Sequence, residues 1–143
     1  MASTTALYTP EILALATSLA RFPLTERLPH RGSARSPSCG SSLDIGLATH
    51  AHGRIEQVGL RSHACAIGQA AAAIFAAAAP GHDRAALAAA AQEIAAWLAG
   101  SALPSWPGFA TIAPAAAYPG RHGAILLPWK AALSALSSAD AQR

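Results

Sequence analysis

The chain has 143 residues, of which 52% are hydrophobic and 12% are charged, and its formal net charge is +3. This length fits one domain with a full core, and the high apolar content argues against an intrinsically disordered chain. The charge is too small and the aromatic residues are too few for a nucleic-acid-binding surface. Two cysteines also do not make the disulfide framework of a small secreted protein. We therefore expect a single domain over residues 1–143.

Neither a signal peptide nor a membrane span is predicted. Residues 1–9 are largely polar, and a proline precedes the first apolar run. The longest apolar run, residues 64–79, is shorter than the roughly 20 residues that cross a bilayer, and it contains Gly68 and Gln69. We expect a cytoplasmic protein in a reducing setting, with no membrane partner.

The first predicted element is a helix over residues 10–20. Thr9 fits the N-cap, Pro10 fits the first helical position, and Glu11 suits the positive end of the helix. Residues 21–38 follow as a connector rich in arginine, proline and glycine. We expect this connector to be solvated, with docking to an acidic protein partner as the alternative.

Residues 43–60 predict a β-hairpin. Apolar side chains alternate from Leu43 to Leu47, which is the period of a half-buried strand. The turn falls at residues 51–53, and a change of parity between Ile55 and Val58 predicts a bulge near residues 56–57. Because two strands alone are only marginally stable, the hairpin needs covering helices, and the connector is the candidate for a third strand.

The rest of the chain is predicted to be mainly helical. One helix covers residues 64–79, and Asp83 caps a second helix that Gly100 ends. Residues 101–118 predict a loop. The last helix begins between residues 122 and 125 and ends around residue 137, with Pro128 acceptable only in its first turn. The expected fold is α+β: a small antiparallel sheet of two or three strands packed against four to five helices.

The two cysteines lie where the hairpin begins and ends. Cys39 precedes its first strand, and Cys65 stands at the start of a helix after its second strand. Since both ends of a hairpin return to one edge, we expect the two thiols to be close together and reduced. A helix N-terminus favours thiolate, which binds soft metals and attacks sulfur. A metal or sulfur-transfer site is one interpretation, and two buried packing residues are the other.

The order of elements, with cysteines at both ends of the hairpin, resembles the U-type iron–sulfur cluster assembly scaffolds, the NifU N-terminal, IscU and SufU group. Residues 36–41, Ser-Pro-Ser-Cys-Gly-Ser, resemble the Asn-Pro-x-Cys-Gly-Asp segment of that family. Residues 64–70 resemble its Gly-Cys segment after the hairpin. Residues 119–129, PGRHGAILLPW, align without a gap on its Pro-Ala-Arg-x-x-Cys-Ala-x-Leu-x-Trp pattern. The resemblance covers nearly the whole chain, and the long segment between Cys65 and Arg121 is closer to the SufU type than to the shorter housekeeping type.

This resemblance implies a site of three cysteines and one aspartate, which holds zinc or the nascent cluster and receives sulfur from a cysteine desulfurase. Carried over by position, Cys39 and Cys65 remain as ligands. The aspartate has become Ser41 and the third cysteine has become Ala124. His122 is the best substitute for the lost thiolate, because imidazole can replace thiolate around iron or zinc.

His63, two residues before Cys65, is a weaker candidate ligand. For His63 and His122 alike, a surface or packing role is the competing interpretation. The remaining histidines, His30, His50, His52 and His82, are expected in turns or on exposed faces and receive no role.

Three functions remain in competition. The first is a divergent scaffold that binds iron, zinc or a labile iron–sulfur cluster through Cys39 and Cys65, with His122 as a further ligand. The second is a metal-free interaction module that docks a cysteine desulfurase or another iron–sulfur assembly protein. The third is a persulfide acceptor that uses Cys39 for sulfur transfer, so whether the chain is an enzyme stays open.

Overall fold

The computed structural model describes residues 7–37 and 40–141, the last four of these as backbone only. Its helices and strands, in chain order, are α1 (Pro10–Ser18), β1 (His30–Arg35), β2 (Ser42–Thr49), β3 (Ile55–His63), α2 (Ala66–Ala78), α3 (Arg84–Leu98) and α4 (His122–Ala141). Short 3₁₀ segments occupy Leu19–Arg21, Ala51–Gly53, Phe109–Ala117 and Pro119–Arg121. The predicted α+β architecture is confirmed.

The three strands form one antiparallel sheet in the order β1-β2-β3. The third strand comes from the arginine-rich connector, as anticipated. The register passes from Ala48 opposite Gln57 to Thr49 opposite Ile55, so Glu56 has no partner on β2. This is the predicted bulge, and it produces the parity change seen in the sequence.

One face of the sheet is buried beneath helices. The side chains of Leu43, Ile45 and Leu47 are almost fully buried there, while Val58 is half-buried. Helix α4 lies against β1 and β2, and α2 lies against β3. At Gly32 the approach is backbone to backbone, because a Cβ there would stand 2.3 Å from a carbonyl oxygen of α4. The apolar face of the hairpin therefore packs mainly against α4.

The opposite face is partly covered by the connector, so the expectation of a solvated segment was wrong for its apolar residues. Leu28 is 4% exposed and lies over Gly46 and Gly59, which pair across β2 and β3. The N–H of Leu60 donates to the carbonyl of Phe22 at 2.8 Å. The connector is thus anchored along β3, while its arginine side chains stay exposed.

The predicted helix ends are confirmed by their hydrogen bonds. The side chain of Thr9 accepts from the Ile12 N–H at 3.2 Å, and Asp83 accepts from the Ala86 N–H at 2.9 Å. Gly100, with φ of 114°, follows the last turn of α3 and donates to the carbonyl of Trp97. These caps satisfy backbone groups that a helix leaves unpaired at its ends.

Three predictions about the C-terminal part were wrong. Residues 109–117 are a 3₁₀ segment rather than a loop, and α4 continues to Ala141. Pro128 lies in the interior of α4 instead of its first turn, where it cannot donate to the carbonyl of Ala124. Its neighbour Trp129 is fully buried, which indicates that tertiary packing outweighs the local cost of the proline.

An aromatic cluster joins the C-terminal segments to α2. Trp129 meets Phe75 edge-on at 5.4 Å between ring centroids and Trp106 at 5.3 Å. The indole N–H of Trp106 donates to the carbonyl of Ile74 at 3.0 Å. The segment after α3 is therefore held against the core by these contacts.

Within the described residues, no helix has the length and apolar character needed to cross a membrane.

Candidate functional site

The sheet register places the β1–β2 loop and the exit of β3 at the same end of the sheet. Ser42 pairs with Arg35 on one side and with His63 on the other. The loop is closed by two hydrogen bonds: the Ser36 N–H donates to the Ser41 carbonyl at 2.8 Å, and the Gly40 N–H donates to the Ser36 carbonyl at 2.9 Å. Both ends of this loop therefore lie at the end of the sheet where the chain leaves for α2.

Cys39 belongs to this loop but lies outside the described residues, together with Ser38. The expected approach of the two sulfur atoms accordingly stays a prediction. Gly40, directly after Cys39, adopts a φ of +74°, in the left-handed region that favours glycine. The positive φ thus explains why a glycine stands at position 40.

Cys65 stands at the N-cap of α2 and is partly exposed. It is a free thiol, and its side chain makes no capping hydrogen bond. Its carbonyl accepts the Gln69 N–H at 3.0 Å, and the Gln69 side chain donates to the carbonyl of Ala64 at 3.0 Å. The first turn of α2 is therefore held by its own residues. The thiol lies at the positive end of a helix, where it is partly exposed and also packs against the core.

Ala124, which the resemblance described above aligns with a cysteine, packs against this same turn. It is 1% exposed, and a Cβ built on Gly68 would lie 3.2 Å from its methyl group. Gly68 is the third residue of α2, so Ala124 is close to the helix end that carries Cys65. A methyl group supplies no ligand.

Ser41, which stands where the family has its aspartate, is also buried, with 6% of its surface exposed. It immediately precedes β2, at the loop end described above. A neutral hydroxyl is a poorer ligand for iron or zinc than a carboxylate.

His122 is the first residue of α4, and its ring is oriented by a hydrogen bond. The Nε2 atom lies 2.8 Å from the carbonyl oxygen of Ala116. Because a carbonyl only accepts, Nε2 carries the proton, and Nδ1 is the ring atom left for a metal. Residues two apart on a helix project in different directions, so His122 and Ala124 do not share a face of α4. For His122 to bind a metal, the metal must therefore lie beside its Nδ1 atom, near the N-terminal end of α4.

Four of the other histidines fall into two groups, and His82 stacks on Trp106. His63 is exposed at the end of β3. His30, His50 and His52 line a cavity at the opposite end of the sheet, where the sequence assigned them no role. The spacing of His50 and His52 was visible in the sequence, but their convergence with β1 depends on the strand register.

The described residues do not by themselves make a metal centre. No three histidine, cysteine, aspartate or glutamate side chains within residues 7–37 and 40–137 are grouped closely enough to hold a metal ion. A metal held at this end by three or more protein ligands therefore needs at least one ligand from residues that are not described or from another molecule.

The fold is that of the U-type iron–sulfur scaffolds. A crystal structure of a nitrogen-fixing NifU-like protein (N-terminal) from Brucella abortus is similar with a TM-score of 0.84 and 23% sequence identity, over 96% of each chain. A proposed iron–sulfur cluster assembly scaffold protein for the SUF system from Fervidobacterium islandicum AW-1 is similar with a TM-score of 0.78 and 18% identity, covering 94% of this chain and 99% of the other.

A third similar structure is that of a hypothetical protein, with a TM-score of 0.68 and 18% identity, covering 88% of this chain and 96% of the other. No protein-family profile matches the sequence, and no curated protein matches it. At these identities the likeness establishes the fold alone.

Proposed function

We propose that this chain is a divergent iron–sulfur assembly scaffold that carries iron, zinc or a labile cluster as cargo. Cys39 and Cys65 bind the cargo, and His122 supplies a third ligand through Nδ1. The observation that carries this proposal is the sheet register, which brings the loop ends on either side of Cys39 to the end of the sheet where Cys65 caps α2. The likeness to a SUF-system scaffold protein supports the same class of function.

The ligand chemistry favours a transient cargo over a permanent structural metal. Structural zinc sites are closed by four protein ligands, whereas three ligands leave one position open. Two thiolates and one imidazole make such an open set. The hydrogen bond from Nε2 of His122 to a backbone carbonyl is the arrangement by which metal-ligating histidines are commonly oriented.

The partners that follow are proteins that deliver sulfur or accept the cluster, with a cysteine desulfurase as the sulfur donor. Cys65 is partly exposed at an end of the molecule, so a partner's active cysteine can approach this end without unfolding of the core. The buried helices and the covered face of the sheet take no part in this exchange.

The test is metal and sulfide analysis of protein purified without oxygen. Cys39→Ala and Cys65→Ala are expected to abolish metal and labile sulfide, and His122→Ala is expected to remove nearly as much. His50→Ala is the control, because it removes an exposed imidazole at the opposite end of the sheet and should leave the metal content unchanged. Full metal content in Cys65→Ala would contradict the proposal, and full content in His122→Ala would remove that residue from the ligand set.

A metal-free interaction module is the second candidate, and one observation favours it. The two positions that the resemblance aligns with further ligands, Ala124 and Ser41, are both buried and carry no strong ligand group. This function predicts that the wild-type chain holds no metal after anaerobic reconstitution but still binds a desulfurase. Labelling of Cys39 by transferred sulfur in the same mixture would instead identify it as a persulfide acceptor.

A further inference from the structure

A second concave site lies at the end of the sheet opposite Cys65. The cavity has a volume of about 510 Å³ and opens between the start of β1, the β2–β3 turn and the start of α3. His30, His50, His52 and Arg84 line it. This volume is within the range of pockets that hold small ligands.

The walls of the cavity are fixed to each other by backbone hydrogen bonds. The N–H of Ile55 donates to the carbonyl of His82 at 2.9 Å, and the N–H of Gly81 donates to the carbonyl of Ile55 at 2.8 Å. These bonds tie the β2–β3 turn to the segment that precedes α3. In addition, the ring of His30 lies 3.2 Å from the hydroxyl of Thr49, which joins the two strands at the rim. The cavity is therefore preformed.

His52 at the mouth of the cavity has an unusual backbone. Its φ is 65°, and it is the one non-glycine residue with positive φ among the described residues. A residue with a Cβ is strained in this region, and such strain is concentrated at functional sites. Glycine would relieve the strain, so the imidazole is held at a conformational cost.

The polar groups around the cavity suit an anion better than a metal. Three histidines and one arginine line the cavity beside one acid, Asp83, and a carboxylate oxygen of Asp83 accepts the N–H of Ala86. Among the residues that the structure describes, no three histidine, cysteine, aspartate or glutamate side chains are close enough together to hold a metal ion. Imidazole and guanidinium N–H groups make strong, charge-assisted hydrogen bonds to oxyanions.

We propose that this cavity binds a small organic oxyanion, a carboxylate or a phosphate ester. His50, His52 and Arg84 hold the charged group, and the apolar side of the cavity at Ala85 and Leu136 accepts the carbon part. The site is separate from the cysteine end of the sheet, so it goes beyond the proposed scaffold function and does not depend on it.

The proposal is tested by following backbone amide resonances while inorganic sulfate, inorganic phosphate or citrate is added. Saturable shifts are expected at residues 50–53 and at the start of α3, and the preferred anion distinguishes a phosphate ligand from a carboxylate. His52→Gly removes the imidazole and relieves the backbone strain, so this variant should stay folded. It should bind at least about tenfold more weakly, because a hydrogen bond to a charged group is lost. Arg84→Gln should weaken binding by a similar factor.

His63→Gln is the control, since it removes an exposed histidine at the other end of the sheet and should bind like the wild type. Absence of saturable shifts, unchanged binding in His52→Gly, or equal loss in His63→Gln would overturn the proposal.

Discussion

Among single residues, Ala124 has the most direct chemical consequence, because its methyl group packs on the helix turn that carries Cys65. We expect Ala124→Cys to restore a third thiolate and to bind metal at least about tenfold more tightly, which corresponds to about 1.4 kcal/mol. The added sulfur enters a packed position, so a loss of about 1–3 kcal/mol in the free energy of unfolding is expected alongside. Competition with a chelator measures the affinity, and denaturant unfolding measures the stability.

The matched control is Ala132→Cys, which introduces a thiol at another fully buried position of the same helix. It should cost stability in a similar way without any gain in metal affinity, because Ala132 lies more than two helical turns further along α4. If Ala124→Cys binds metal no better than the wild type, Ala124 does not occupy the position of a ligand. The proposed carry-over of the family's site would then fail at this residue.

At the level of elements, the contact between α4 and β1 depends on Gly32. A Cβ there would lie 2.3 Å from the Ala131 carbonyl oxygen and 2.6 Å from the Ala135 nitrogen, both backbone atoms that cannot rotate away. We expect Gly32→Ala to push the helix off the strand and to lower the free energy of unfolding by about 1–3 kcal/mol or more. Urea unfolding followed by circular dichroism checks this value.

Gly120→Ala is the comparison for this effect, because a Cβ at Gly120 would meet nothing within 4 Å. Its unfolding free energy should change by no more than about 0.5 kcal/mol. Equal stability of the two variants would mean that α4 can shift on β1 without cost. The close packing inferred at Gly32 would then be incorrect.

The elements also differ in how far the sequence predicts them. The caps at Thr9 and Asp83 and the bulge at Glu56 were predictable, because each depends on a few neighbouring residues. The burial of Leu28 over two glycines of the sheet was not, because it joins segments that are distant in the chain. The position of Pro128 inside α4 was also not predictable from local rules, because the packing of its neighbours decides where α4 lies.

For the site, the sequence predicted where Cys65 stands, because a residue between a strand and a helix is placed by both elements. The register then agrees with the expectation that the two ends of the hairpin return to one edge. The hydrogen bond between His122 and Ala116 could not be predicted from the sequence, because it depends on the 3₁₀ segment that precedes α4. Likewise, the cavity around His52 is assembled from three separate segments.

For the whole molecule, the position of the site relative to the core predicts how folding depends on metal. Small zinc-binding domains unfold without their metal, because the ligand bonds supply most of their folding free energy. Here a large core with fully buried Phe75, Ile45 and Trp129 is already assembled from the sheet and the helices, and the candidate ligands lie at its edge. Removal of metal by a chelator should therefore shift the melting temperature by no more than about 4 °C, the effect of about 1 kcal/mol in a chain of this size.

Thermal unfolding followed by circular dichroism, with and without chelator, measures this shift, and Cys65→Ala should behave like the chelated wild type. Loss of the cooperative transition in either sample would show that metal is part of the fold, and the site would then be structural instead of a carrier of exchangeable cargo.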